Sequence, residues 1–120
     1  MSLYVYKTLH VVGMLLLFTA LGSMIQRVAD GGERPKLAGA THGVALLLLL
    51  VAGFGAMARL GLTHDWAFPG WVWAKLGIWL LLGAAPVLIR RGGARLATLW
   101  WWLLPLVGGL AGYLALAKPL

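Results

Sequence analysis

A chain of 120 residues that is 62% hydrophobic and 11% charged is not an ordinary soluble domain, in which roughly a quarter of residues carry charge. It has no cysteine, which excludes disulfides, thiolate metal sites, iron–sulfur clusters and covalent haem attachment through Cys-x-x-Cys-His. The formal charge of +7 comes from ten Lys and Arg against three acids; most of the basic residues sit in short stretches at the ends of long apolar runs, which points to membrane topology and anionic lipid rather than to nucleic acid.

The apolar runs predict a single transmembrane domain over residues 1–120, all-α, folded as an integral membrane four-helix up-down-up-down bundle. The expected spans cover about 3–25, 37–60, 71–89 and 96–117, each long enough for about 30 Å of hydrocarbon. Span one has no basic leader and no small-x-small cleavage site, so it reads as a retained span. Tyr4 and Tyr6 stand at its interfacial start, and His10, Gly13 or Met14, and Leu17 share one face, with Lys7 a turn before His10. A hydrophilic loop from Arg27 to Lys36 follows, broken by Gly31-Gly32 and Pro35.

Span two carries His42 in its first turns, and the face continues through Ala45 or Leu46, Leu49, Gly53 and Ala56. Gly39 and Gly43 have the small-xxx-small spacing of close helix packing. The loop Gly61 to Gly70 holds Thr63, His64, Asp65, Trp66 and Pro69, and reads as a solvated turn with an aromatic at the headgroups. Span three opens with Trp71 and Trp73; Lys75, Trp79 and Leu82 share a face, and Pro86 is expected to kink the last third. The stretch Arg90 to Arg95 reads as a basic turn. Span four holds Trp100, Trp101 and Trp102 as an interfacial belt, Pro105 as a second kink and Gly108-x-x-x-Gly112 as a packing motif.

Arg27, Arg34, Lys36, Arg90, Arg91 and Arg95 belong to loops one and three. The positive-inside rule places those loops in the cytoplasm of a bacterial inner membrane and both termini on the periplasmic or exterior side.

Ionisable residues inside spans mark candidate sites, because lipid makes them expensive. His10 lies about 9–11 Å below the outer end of span one and Lys75 about 6 Å inside span three, in the same leaflet; His42 is about 6–8 Å from the opposite end. The two histidines are thus separated in depth by about 15 Å, whereas axial nitrogens on one haem stand about 4 Å apart. One haem bridged by His10 and His42 is disfavoured. His10 remains open as a haem ligand, a proton carrier, a quinone hydrogen-bond donor, or a histidine satisfied by a neighbouring helix. Lys75 either faces His10, where two cations call for an anionic guest, or snorkels to the interface. His42 either serves a cofactor or caps loop one near the headgroups. The three carboxylates, Asp30, Glu33 and Asp65, all fall in loops, which excludes a paired-carboxylate mechanism or a carboxylate-lined ion path within the membrane.

Lys7-x-x-His10, His42 at the start of a leucine-rich span, and Trp73-Ala74-Lys75-Leu76 at the start of span three resemble the SirB-like family of small four-span membrane proteins. The His in span one and the Lys in span three also resemble HemJ-type protoporphyrinogen oxidases. The second resemblance implies haem b, with His10 as the metal ligand and Lys75 holding a propionate or substrate carboxylate, and electrons passed to the respiratory chain. The chain departs from these patterns at Thr41-His42, where SirB-like proteins have Pro-His, at Ala45, where they have Asp, and at Arg27, which lacks the preceding proline of the HemJ pattern. The expectation is a haem- or porphyrin-associated redox protein with an outer-leaflet site between spans one and three. The alternative is a non-catalytic membrane subunit packing through glycine-rich faces, as a homodimer or in a larger complex. A transporter is the third reading, and at this length it requires a dimer.

Overall fold

Three helices account for the regular structure of the computed structural model, which describes residues 2–33, 35–61 and 68–118. They are α1 (Leu3–Ala29), α2 (Lys36–Arg59) and α3 (Gly70–Ala117). The Ser2 hydroxyl caps the start of α1 by accepting the Val5 N–H at 3.3 Å. Pro35 and Pro69 precede α2 and α3 with φ near −69° and −60°, already set for helix entry. At the end of α1, Gly31 takes φ +73°, and the N–H groups of Gly31 and Gly32 return to the Val28 and Arg27 carbonyls. That is a Schellman turn, and it needs a residue without a Cβ at its left-handed position. Gly61, at φ +77°, follows the end of α2 with its N–H returned to the Ala58 carbonyl.

The expected four-helix bundle is corrected by α3. The basic stretch Arg90 to Arg95, read from sequence as a loop, is helical, and α3 runs for 48 residues. Its break lies at neither Pro86 nor Pro105 but at Gly93, the one residue in α3 with non-helical dihedrals (φ 65°, ψ −171°). A straight helix of this length would extend about 72 Å, yet the longest dimension of the molecule is 47 Å. The element therefore folds back at Gly93, and Leu114 near its end packs with Trp71 and Val72 at its start. The Lys118 ammonium lies 5.6 Å from the Trp71 ring centroid, closing the fold-back by a cation–π contact. The sequence suggested a longer connection here because arginines and glycines normally end a span; one non-helical residue, Gly93, is enough to turn the chain between the two helical arms.

α1 supplies the centre. Leu17, Ala20, Leu21, Met24 and Ile25 are buried against Ala45 and Leu49 of α2 and against Leu82, Ala85, Ile89 and Leu104 of α3. The helices approach closely where side chains are missing: a Cβ on Gly13 would stand 3.1 Å from Leu49 Cγ, and the Phe18 ring fills the space over Gly108. The outward faces are as apolar as the core. Leu15, Leu47, Leu80 and Leu106 are 62–70% exposed, which in water would make patches far beyond those of a soluble monomer. All three helices are long and apolar enough to cross a membrane, and their outer surfaces suit a lipid bilayer. The chain is built as a membrane protein. Two exposed threonines satisfy themselves inside the helix, as lipid demands: Thr8 and Thr19 donate to the Tyr4 and Leu15 carbonyls at 2.8 and 2.7 Å.

Candidate functional site at the helix seams

His10 projects from α1 onto α2. Its Nδ1 lies 3.2 Å from the Leu49 carbonyl. A carbonyl oxygen only accepts, so Nδ1 carries the proton, and in the neutral ring Nε2 holds the lone pair. The ring comes this close because of Gly53, one turn beyond Leu49: a Cβ there would lie 3.3 Å from His10 Cε1 and 3.5 Å from Nδ1. Next to it, the Tyr6 ring occupies the space that a side chain on Gly55 would need. Two glycines on α2 thus seat two rings of α1. A nitrogen–carbonyl bond that fixes ring orientation and tautomer is the usual support of a histidine acting through its other nitrogen.

Lys75 belongs to this level as well. One turn further along α3, the Trp79 indole N–H donates to the Leu46 carbonyl at 3.0 Å, which fixes the register of α3 on α2. Counting back one turn puts Lys75 opposite the residues about Leu50, beside the seat of His10. Met14 and Met57 are half-buried at the flanks, and Lys7 is exposed. Beyond them, Phe54, Phe68 and Trp73 form a row with centroid spacings of 5.8 and 5.7 Å.

His42 stands elsewhere and does other work. It is 5% exposed, and its Nε2 lies 3.0 Å from the Leu82 carbonyl of α3. In an unbroken helix Leu82 would receive the N–H of residue 86, and that residue is Pro86, which has none. The imidazole supplies the missing donor from the neighbouring helix. Sequence reasoning named both residues and missed their relation; His42 is about 6–8 Å, and Pro86 about 5 Å, from the same end of the expected spans, so matching depths would have suggested it. Along α2, Leu49 and Gly53 lie seven and eleven residues past His42, or about 10–16 Å. The two histidines are as far apart as the depth argument required.

Among the described residues no group of three or more His, Asp or Glu is placed to hold a metal. What the site offers is one oriented imidazole nitrogen and one ammonium, a set that can bind an acceptor or metal centre on one side and a carboxylate or phosphate on the other. His64 and Asp65, with the rest of residues 62–67, lie outside the described residues. The expected tryptophan belt is only partly so: Trp101 and Trp102 are exposed, whereas Trp100 packs on the core with its indole N–H buried over Gly92. No family model matches the chain, and neither a curated protein nor a solved structure does.

Proposed function

We propose that this chain is a small haem- or porphyrin-associated redox protein of the bacterial inner membrane, in the manner of the SirB-like and HemJ-type proteins it resembles. The observation that carries the reading is the His10 Nδ1 bond to the Leu49 carbonyl, which leaves Nε2 as a fixed, available donor. The donor set fits haem b in part: His10 would supply one nitrogen ligand and Lys75 a counter-charge for a propionate. His42 does not enter, since its Nε2 is held by Leu82. Haem bound there supplies one-electron transfer. The protein's own contribution is to orient His10 through Leu49 and Gly53, and to place a cation where a carboxylate enters a medium that otherwise disfavours it.

The basic end, with Arg27, Lys36, Arg90, Arg91 and Arg95, faces the cytoplasm in this reading, and both chain ends face outward, since α3 folds back at Gly93. The test is haem titration of the detergent-purified protein. Wild type develops a Soret band that saturates at one haem per chain, and His10→Ala reduces it to the level of detergent alone. A wild-type titration indistinguishable from empty micelles overturns the proposal.

A second reading has its own observation. Gly43, Gly77 and Gly109 are exposed, with no atom in reach of a Cβ at any of them. Bare glycines on a lipid-facing surface suit close approach by another helix, as in a non-catalytic membrane subunit. Crosslinking in native membranes separates the two readings: a strictly monomeric species argues against the subunit.

A further inference from the structure

At the end of the molecule away from His10, a cavity of about 420 Å³ opens between the close of α1 and α3 just before its fold. Met24, Val28, Pro86 and Ile89 form its apolar part, and Gly32, Glu33 and Arg90 its polar part. Met24 and Ile89 are buried at its floor, while Glu33 and Arg90 are exposed at its rim. The volume falls in the range of small-molecule sites, about 300–1,000 Å³. Glu33 and Arg90 line one space, yet among the described residues they form no ion pair with each other.

The charges are distributed by wall. Glu33 stands just past the C-terminal end of α1, where the helix dipole adds negative potential. Arg90 leads the basic stretch of α3, with Arg91 beside it. A ligand carrying one positive and one negative group in close succession satisfies both walls, and a single charge satisfies only one. The rest of the lining, Met24, Val28, Pro86 and Ile89, is apolar, so the zwitterion fits best with a hydrocarbon tail attached.

We propose that this cavity binds a phosphate-and-primary-ammonium zwitterion, the headgroup chemistry of an ethanolamine phospholipid, with Arg90 on the phosphate and Glu33 accepting the ammonium N–H. The site is independent of His10, which lies about 20 Å away along α1.

Native mass spectrometry of the full chain released from micelles tests it with three lipids of equal acyl length, carrying ethanolamine, choline or glycerol headgroups. Wild type retains the ethanolamine lipid about tenfold over the other two, the size of one charge-assisted hydrogen bond at a partly exposed site. The choline lipid is the sensitive control, because its ammonium has no N–H to donate. Glu33→Gln removes the preference and leaves glycerol-lipid retention unchanged; Arg90→Gln lowers retention of both. Displacement of the lipid by millimolar soluble phosphoethanolamine supports the zwitterion chemistry and assigns the source to the free compound; resistance to it assigns the source to the lipid. Equal retention of all three lipids by wild type, or an ethanolamine preference that survives Glu33→Gln, overturns the proposal. Both substitutions fall on exposed side chains, so folding is not at stake.

Discussion

Replacing His42 by leucine keeps an apolar side chain in a buried position and removes the only donor that α2 offers to the Leu82 carbonyl. The bond is 3.0 Å long and the residue 5% exposed, so water does not replace the lost partner. An orphaned buried carbonyl costs about 1–3 kcal/mol in general, and interhelical hydrogen bonds in membranes measure about 0.6 kcal/mol on average and about 1.7 at most. The expected cost of His42→Leu is therefore about 1–2 kcal/mol. Pro86 supplies the control. Pro86→Ala restores an N–H four residues beyond Leu82, and the carbonyl then has its own helical donor. In that background His42→Leu becomes milder by about 1 kcal/mol, close to a fivefold change in the unfolding equilibrium. Reversible unfolding in mixed micelles, with sodium dodecyl sulfate as denaturant and circular dichroism as readout, gives the four stabilities of the cycle. Equal costs of His42→Leu in both backgrounds, within about 0.3 kcal/mol, would refute the link between the histidine and the proline.

The same assay reads three other substitutions. Trp79→Phe breaks a bond of the same length, to Leu46, but that carbonyl keeps its helical N–H from Leu50, so the loss stays near 0.5–1.5 kcal/mol by the ordinary worth of such a bond, roughly, and is unaffected by Pro86→Ala. Gly93→Ala forces a Cβ onto a residue at φ 65° and lowers stability by about 1–3 kcal/mol; an unchanged midpoint would show that the fold of α3 does not depend on that conformation. Gly55→Ala displaces the Tyr6 ring and costs about 1–3 kcal/mol through overpacking, with partial recovery on adding Tyr6→Leu.

The membrane character and the α1 face from His10 through Gly13 to Leu17 were legible in the sequence, because each rests on composition or helical period. The number of helices was not. Arg90-Arg91-Gly92-Gly93 has the composition of a loop, and whether such a stretch ends a helix or bends it depends on the dihedrals of one glycine and on the contacts that return Leu114 to Trp71. The role of His42 was not legible either. A histidine near a helix start resembles a cap or a headgroup contact, and only the packing of α3 onto α2 brings Leu82, stripped of its donor by Pro86, within reach. Tyr6 read as an interfacial anchor, yet its ring packs on Gly55, a partner in another helix that no local pattern names.

The central claim is that His10 presents Nε2 to a bound guest. A reduced-minus-oxidised absorption spectrum of the protein purified from cells supplied with a haem precursor tests it most directly. The account predicts a Soret difference band that persists in His42→Leu and disappears in His10→Ala. A flat difference spectrum in the wild-type protein, or a band unaltered by His10→Ala, would contradict it.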